Sequence, residues 1–556
     1  MSPVLLANLA AAPPAERRTA IEQMLQGPAG EMLRRTIGTW VMRLVPVETL
    51  VPQSAERWRP LVSDAMGFFF SRLSAARLAD KIVEQIDLAP DTPPEKRLLR
   101  LISRMPGLQK IGQVLARNPR LAPPLRASLI ELENGISDVT AAEVEAILRN
   151  SLGDRLQEFA VRLDAQILSE ASVSAVVRFT WNNPDRERER CVFKVLKPHI
   201  PGCFAEDMKL LQELGRYLAG RKSGYGFARR QVDEMLTEVR LLLVHELDFR
   251  REQATLAEAA RTYRGTLGIR VPKVIPALST GEITAMTEET GVKVTDALRR
   301  SPIRRRRIAE QLIEALIAVP LFSAQDHSTF HADPHAGNLL YDGPNRELIV
   351  LDWALAERLS LPTRRELVML AVMMSLRNVE GVRKAIEALR RPGAGSRRAL
   401  KIIGNAVSRF FADLPPSRSP GVLDAMRLLD EIALAGVSFD APLFLFRKSL
   451  FTLDGVLQDI AGAEVRMDQV IVRYFLARWA ASFCLFYSPL SFKDFLSVEW
   501  NALLYPVRSW KQASEKSASD GGRAVRGPAP SPRKKLPLPA KARRPAPRRP
   551  QSRPAG

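Results

Sequence analysis

A short series of β-type segments interrupts a chain whose other apolar patterns are mostly helical, and this change of period most constrains the fold. The segments AQILS, AVVRFTW and RCVFKVL lie between about 165 and 197, and the last two are separated by the turn-like NNPDRER. The chain then has helical spacing over 201–262, β-type runs at 270–276 and 282–289, a helix from Ile303 to Phe322, and a strand ending at Asp352. This order predicts an α+β domain of two lobes with a cleft between them.

The 556 residues allow about three to five domains at roughly 100–200 residues each. We predict a helical N-terminal region at 1–95, a helical extension at 96–163, the α+β domain at 164–410, a helical C-terminal region at 411–510 and a basic Pro-rich tail at 511–556. The segment DLAPDTPPEKR at 87–97 is typical of a linker.

Charge and cysteine content narrow the class of protein. The tail carries +11 of the net charge of +21, so we expect a disordered tail that serves as a tether or contacts anionic lipid, and no specific binding of nucleic acid. Cys191, Cys203 and Cys484 form neither a disulfide framework nor a C-x-x-C pair, which favours a cytoplasmic, reducing location. The N-terminus lacks the basic start of a secretory signal.

The most lipid-like stretch, at 471–490, is interrupted by Arg473 and Arg478, and its uninterrupted apolar run from Trp479 is shorter than the ~20 residues that span a bilayer. We therefore predict a buried or interfacial helix there. The expected location is peripheral, at the inner face of the membrane.

The strongest chemical signal is the polar loop FHADPHAGN, followed by Asp352 at the end of an apolar strand. The carboxylate of Asp333, the amide of Asn338 and the carboxylate of Asp352 are the oxygen ligands and the acceptor-orienting acid that Mg²⁺-nucleotide chemistry needs. One alternative is that Asp333 and Asn338 only shape a turn. Another is a zinc site of a metallohydrolase, formed by His327, His331 and His335 on one helical face, although Pro334 disfavours that helix.

Lys194 lies among apolar residues of a predicted central strand, where a buried ammonium needs an anionic partner. Phosphate oxygens and a helix glutamate would supply one, and the next helix offers Glu238, Glu246, Asp248 and Glu252. Either Glu238 or Glu246, which share one helical face, is predicted to pair with Lys194. Lys197 precedes Pro198 at the end of the strand and is expected to face water.

These residues carry a resemblance. Lys110-Ile111-Gly112-Gln113, an Ala- and Ser-rich loop, VFKVLKP, Glu246-Leu247-Asp248, HADPHAGN and Leu351-Asp352 occur in an order that resembles the UbiB/AarF-type atypical kinases of the protein-kinase-like superfamily. The resemblance covers about 98–360. It implies a two-lobed protein-kinase-like core with a helical N-terminal extension and a helical C-terminal region.

The resemblance also implies a role for each residue. Lys194 would bind nucleotide phosphates, Asp333 would be the catalytic-loop Asp, and Asn338 and Asp352 would hold Mg²⁺. Lys110, Gly112 and Gln113 would form a lid over the cleft. Glu246 and Asp248 would form the family's E-x-D element, and the loop Ala171, Ser172, Val173, Ser174 and Ala175 would replace the glycine-rich loop. Together with Glu238, these are the remaining predicted nucleotide-binding residues.

Two departures from the family pattern bear on turnover. The usual Asp-Phe-Gly reads Asp352-Trp353-Ala354, and alanine reaches the left-handed conformations of glycine only at a cost. The phosphate loop has no glycine, although small side chains still let backbone N–H groups approach phosphates.

The resemblance implies an ATPase or phosphotransferase that uses ATP and Mg²⁺ and supports biosynthesis of isoprenoid quinones such as ubiquinone, or lipid metabolism. The expected partners are ATP, a membrane or quinone-precursor lipid, and quinone-biosynthesis proteins. The alternative from another class is a catalytically weak scaffold that binds nucleotide or lipid.

Overall fold

The computed structural model describes residues 13–498 apart from 29, 52, 54–55, 57–58, 111–138, 184–185, 221–235, 237–238, 241–242, 267, 297–300, 392–395, 416–417, 483–488, 492–493 and 495. Gly112, Gln113, Glu238 and the predicted basic tail therefore lie outside the described residues.

The N-terminal region is helical, as its spacing predicted. Its helices are α1 (Pro14–Gln26), α2 (Gly30–Leu44), α3 (Val47–Leu50), α4 (Arg59–Arg72), α5 (Ala75–Ile86) and α6 (Pro94–Ile102). Helices α2 and α4 cross at Gly38 and Gly67, where a Cβ on Gly38 would lie 2.8 Å from the Gly67 Cα. These helices share one apolar core with α9 (Ile200–Gly220).

The predicted linker at 87–97 is wrong in its second half, because α6 begins at Pro94. Arg97 is buried there and donates to the carbonyls of Ala89 at 2.7 Å and Gln85 at 3.3 Å. Proline at the first helical position starts a helix as readily as it interrupts one. The segment is therefore packed against the N-terminal helices.

The first lobe of the α+β core is an antiparallel sheet in the order β1-β2-β3-β5, formed by β1 (Arg162–Glu170), β2 (Ser174–Asn183), β3 (Arg186–Leu196) and β5 (Ile283–Thr287). One face packs on α7 (Ala141–Leu152), which a Thr140–Glu143 capping box begins, and α8 (Arg155–Glu158) follows. Helix α10 (Phe249–Thr262) carries Glu252, which reaches Lys194 of β3. Of the β-type run predicted at 270–276, only β4 (Ile269–Arg270) and an isolated bridge at Val274 form.

The second lobe surrounds the largest apolar core. Its sheet has the order β4-β9-β8-β6, with β6 (Val292–Lys293), β8 (Leu339–Asp342) and β9 (Glu347–Val350), and β7 (His327–His331) pairs with β10 (Ala356–Ser360). The helices are α11 (Pro302–Ile313), a π-helical turn (Glu314–Ala318), α12 (Val319–Leu321), α13 (Leu361–Ser375), α14 (Val379–Leu389), α15 (Ser396–Asp413), α16 (Val422–Leu434), α17 (Ala441–Ala461) and α18 (Met467–Ser482). The predicted two-lobed α+β class is confirmed.

Helix α18 includes the first half of the lipid-like stretch, and its Arg473 pairs with Glu310 of α11 at 3.1 Å. Within the described residues, no helix is both long enough and apolar enough to cross a bilayer.

Candidate active site

A cleft between the two lobes collects most of the predicted site residues. The first lobe contributes the β1–β2 turn and Lys194, and the second contributes the polar loop and the start of the Asp352-Trp353-Ala354 segment. The lining residues are Lys110, Ala171, Ser172, Val173, Ser174, Lys194, Glu246, Asp333, His335, Asn338, Asp352, Ala354 and Leu355.

Lys194 lines this cleft from β3, an inner strand of the first-lobe sheet. Val176 of β2 and Thr284 of β5 lie opposite it. Its Nζ lies 2.5 Å from Glu252 Oε1 and 3.4 Å from Asp352 Oδ1. Burial alone would lower the pKa of Lys194, but Asp352 and Glu252 outweigh burial and raise it above its usual value. The ammonium therefore stays charged and is aimed between the two carboxylates.

The predicted pairing of Lys194 with Glu238 or Glu246 is replaced by pairing with Glu252, a residue that sequence reasoning did not select as the partner. That prediction assumed one helix through this region. Instead Asp248 leaves the helical conformation and caps α10, its carboxylate accepting from the Arg251 amide at 2.9 Å. Helix α10 is a new helix that begins at this cap. A helical wheel drawn from Glu238 therefore does not predict which residues of α10 face Lys194. The Asp at 248, a strong N-cap residue, was the available signal.

Glu246 pairs instead with Lys110, whose side chain is almost fully buried. Lys110 lies on a short helical segment at 106–110. The start of that segment is held by Asp207, which accepts from the Gly107 amide at 2.8 Å and pairs with Arg77. Lys110 thus reaches the cleft from the N-terminal extension. Asp248 acts as a helix cap and is not among the residues lining the cleft.

The polar loop is held in place by its own histidine. His331 is buried, and its Nδ1 accepts a hydrogen bond from the Asp333 amide at 3.2 Å. The ring proton therefore lies on Nε2, which donates to the Leu351 carbonyl at 3.1 Å. Burial lowers the pKa of His331, so the ring stays neutral at pH 7. His331 therefore connects the backbone of Leu351, the residue before Asp352, to the backbone of Asp333.

The histidines do not form the helical metal site considered as an alternative. Residues 327–331 are strand β7, so the three side chains do not share a helical face, and His335 accepts from the Gly337 amide at 3.1 Å. Across the part of the chain that the structure describes, no three His, Cys, Asp or Glu side chains are grouped as a metal site. Asn338 ends the 3₁₀ turn Ala336–Asn338 and lines the cleft.

Asp352 has a φ of 47°, in the left-handed region that non-glycine residues seldom adopt. Its side chain is 43% exposed, accepts from the Ala354 amide at 3.2 Å and points toward Lys194. Partial desolvation in the cleft would raise the pKa of Asp352, but the Lys194 charge and this amide outweigh it and hold the pKa at about 2. Ala354 is not among the residues with positive φ, so the alanine needs no glycine conformation.

The Ala- and Ser-rich loop is a tight turn between β1 and β2, in which the Ala171 amide donates to the Ser174 carbonyl at 2.8 Å. Ala171, Ser172, Val173 and Ser174 line the cleft, while Ala175 is buried within β2.

The prediction that Lys197 faces water is wrong. It is 2% exposed, and its ammonium lies 3.0 Å from Glu170 Oε2 at the end of β1. Because its amide also donates to the Val173 carbonyl at 3.0 Å, Lys197 fixes the base of the loop.

The donor set fits Mg²⁺ and a nucleotide triphosphate. Asp352 and Asn338 present a carboxylate and an amide, the hard oxygen ligands that Mg²⁺ takes together with phosphates. Lys194 faces the same space. In addition, Glu246 lines the cleft, and its Oε2 is buried with no hydrogen-bond partner among the described residues.

The central part of the chain is similar to known proteins. Residues 131–386 match the family model of the ABC1 atypical kinase-like domain. A "Probable protein kinase UbiB" from Vibrio atlanticus is 29% identical over 241 residues, which cover 42% of each chain. "Protein ACTIVITY OF BC1 COMPLEX KINASE 8, chloroplastic" from Arabidopsis thaliana is 26% identical over 265 residues, 47% of this chain and 34% of the plant protein.

An uncharacterized protein from Synechocystis is 25% identical over 293 residues, 52% of this chain and 48% of its own. The matched stretch thus spans half or less of each of these relatives. Among solved structures, one titled as the complex of Rv3197 with erythromycin from Mycobacterium tuberculosis aligns with a TM-score of 0.42 and 19% identity, covering 66% of this chain and 93% of that one.

Proposed function

Residues 131–386 belong to the ABC1 atypical kinase-like family of the UbiB/AarF type, and on that premise we propose that the chain binds Mg-ATP and acts as an ATPase or phosphotransferase. The observation that carries the proposal is the meeting of Lys194, Asp333, Asn338 and Asp352 in one cleft, although Lys194 and Asp352 are 158 positions apart. Glu252 pairs with the Lys194 ammonium.

Each side chain has a separate task in this proposal. Lys194, held by Glu252, binds phosphate oxygens of the nucleotide. Asp333, whose backbone N–H donates a hydrogen bond to His331 Nδ1, orients the acceptor hydroxyl or water and takes up its proton. Asn338 and Asp352 would hold Mg²⁺, which when bound neutralises charge on the phosphates.

The backbone of the turn from Ala171 to Ser174 faces the phosphates in place of a glycine-rich loop. Small side chains and the fixed base at Lys197 keep this turn close to the cleft. Binding and orientation by these groups supply most of the catalysis of phosphoryl transfer.

We also propose that the chain supports isoprenoid quinone biosynthesis or lipid metabolism and that it attaches peripherally to the inner face of the membrane. Its support is the family resemblance in the motifs and the basic tail of +11. Partners would be a quinone-precursor lipid and quinone-biosynthesis proteins.

A second candidate is a nucleotide- or lipid-binding scaffold with weak turnover. The pair of Lys110 and Glu246 favours it, because this pair lies among the residues that line the cleft and limits access for a large acceptor. Steady-state ATP hydrolysis, measured with and without anionic liposomes and a phenol that mimics the quinone ring, separates the two. Turnover that rises with either addition supports the enzyme, and nucleotide binding without turnover supports the scaffold.

The site assignment is tested by thermal shift with Mg-ATP and by ATP hydrolysis. Lys194→Ala and Asp352→Asn should each lose the Mg-ATP-induced rise in melting temperature, because they remove the phosphate cation and the metal carboxylate. Asp333→Asn should keep this rise and lose turnover by about 100-fold or more. Lys293→Ala, at an exposed lysine of β6, is the control and should match wild type. An unchanged shift in Asp352→Asn would contradict the assignment.

The cellular role needs a separate experiment. Quinones extracted from a deletion strain should be depleted in mass spectrometric profiles, and the wild-type gene should restore them where Asp333→Asn does not. A normal quinone profile in the deletion strain would leave the ATPase proposal in place and refute the quinone role.

A further inference from the structure

Helix α17, from the C-terminal helical region, passes directly under the polar loop. Phe446 packs edge-on against Phe330 of β7, with ring centroids 5.3 Å apart. Ser449 is fully buried, and its hydroxyl donates to the His331 carbonyl at 2.7 Å. The side of α17 that carries these two residues is therefore fixed against the strand that leads into Asp333.

In the sequence, Lys448 lies between Phe446 and Ser449, and its side chain extends to Asp333 of the polar loop. Its Nζ is 3.8 Å from Asp333 Oδ1, and the two side chains are 16% and 7% exposed. At this distance and burial the attraction is screened less than it would be at the surface. The preceding residue, Arg447, pairs with Asp430 and not with Asp333.

The polar loop contains no lysine or arginine between Asp333 and Asn338, so the sequence around Asp333 supplies no cation of its own. Lys194 is engaged by Glu252 and Asp352, and Lys110 is paired with Glu246. The two acids thus have different lysines: Asp352 has Lys194 from β3, and Asp333 has Lys448 from α17.

We propose that Lys448 is a positioning residue that holds the Asp333 carboxylate in place for phosphoryl transfer, which makes α17 a working part of the catalytic site. The inference rests on the proposed function. It follows from the anchoring of α17 on both sides of Lys448, because a side chain on a fixed helix loses less freedom when it pairs with a loop acid. A carboxylate held in one rotamer avoids the loss of rate that misplacement by about 1 Å produces.

The kinetic test compares Lys448→Met, Lys448→Arg and the matched control Arg447→Met. Lys448→Met should lower kcat for ATP hydrolysis by about tenfold or more, with the KM for Mg-ATP changed by less than about threefold, because the nucleotide is bound by other residues. Lys448→Arg should recover part of kcat, since it restores the charge. Arg447→Met should stay within about twofold of wild type. A kcat for Lys448→Met equal to that of the control would overturn the inference.

A double-mutant cycle shows whether Lys448 acts through Asp333. In the Asp333→Asn background, Lys448→Met should produce little further loss of kcat, and in melting temperature the double variant should fall short of the sum of the two single changes. Additive effects in both measurements would refute positioning. The melting cycle also decides the matter if Lys448→Met is too unstable for kinetics at growth temperature.

Failure of the inference can be told apart from failure of the proposed function. A wild-type protein with no Mg-dependent hydrolysis contradicts both. An active wild type with an unaffected Lys448→Met contradicts only the role of Lys448.

Discussion

Glu252 orients Lys194 in the cleft, although its burial makes the charged form of its own carboxylate unfavourable. It is 2% exposed, and its Oε2 is buried with no partner among the described residues. Burial raises the pKa of Glu252 to about 6 in spite of the adjacent Lys194 ammonium. The fold therefore retains this carboxylate at a cost, which is expected of a residue that holds Lys194 for a ligand.

We predict that Glu252→Gln lowers kcat/KM for ATP by about tenfold, because Lys194 keeps only Asp352 as an anionic partner and is drawn toward the metal carboxylate. Steady-state hydrolysis and the Mg-ATP thermal shift measure this effect. Glu258→Gln is the control, because Glu258 lies six residues further along α10 and its carboxylate pairs with Arg358. A wild-type rate in Glu252→Gln would refute the orienting role.

The same variant should change how folding stability depends on pH. Because the folded pKa of Glu252, about 6, lies above the unfolded value near 4.5, its ionisation destabilises the wild type as pH rises from 4.5 to 6. Glutamine does not titrate, so the melting temperature of Glu252→Gln relative to wild type should rise between pH 5 and pH 7. A difference in melting temperature that stays constant over this range would contradict this reasoning.

At the scale of elements, the segment at 106–110 connects the N-terminal helices to the cleft. Asp207 of α9 is fully buried, accepts from the Gly107 amide and pairs with Arg77 of α5. Burial raises the pKa of Asp207 despite the Arg77 charge, so this carboxylate also carries a desolvation cost. The segment is thus anchored at its start on the N-terminal core and paired at Lys110 with Glu246.

We predict that Lys110 and Glu246 are coupled in nucleotide affinity. A double-mutant cycle of Lys110→Ala and Glu246→Gln should deviate from additivity by about 0.5–3 kcal/mol in Mg-ATP affinity, as residues in contact do. The resemblance implies that Lys110 lies near both Glu246 and Asp248. Because Asp248 caps α10 and does not line the cleft, a cycle of Lys110→Ala with Asp248→Asn serves as the control and should be additive. Strict additivity for Lys110 and Glu246, with wild-type melting in both single variants, would refute a lid.

At the scale of the whole molecule, attachment to a membrane would depend on surface features. Helix α18 exposes Val472 and Leu476, each 49% exposed, while its Arg473 is paired with α11. The tail adds +11, and each basic residue near an anionic surface contributes about 1 kcal/mol.

We predict that a high-salt wash releases the protein from membranes and that removal of 511–556 weakens its binding to anionic liposomes but not to neutral ones. Co-sedimentation with liposomes at rising ionic strength measures both effects. Retention in the pellet after high salt and carbonate would indicate an integral anchor.

The sequence by itself determined the strands of the first lobe, the class of fold and the ionic residues Lys194, Asp333 and Asp352 of the cleft. These depend on local patterns: β2 and β3 follow their β-branched runs, Lys194 is on a central strand, and Asp333 and Asp352 each lie two residues after the end of a strand. The polar loop was readable because carboxylate, amide and carboxylate at fixed spacing have few other uses.

Only the tertiary structure decided which charges meet. Glu252 rather than Glu246 reaches Lys194 because Asp248 ends one helical phase and starts another. Lys448 meets Asp333 across 115 positions because Phe446 and Ser449 fix α17 under β7, and Lys197 is buried because Glu170 lies at the end of β1. The free energy of such pairs depends on burial and on distances between remote segments, and neither is encoded in the local spacing of residues.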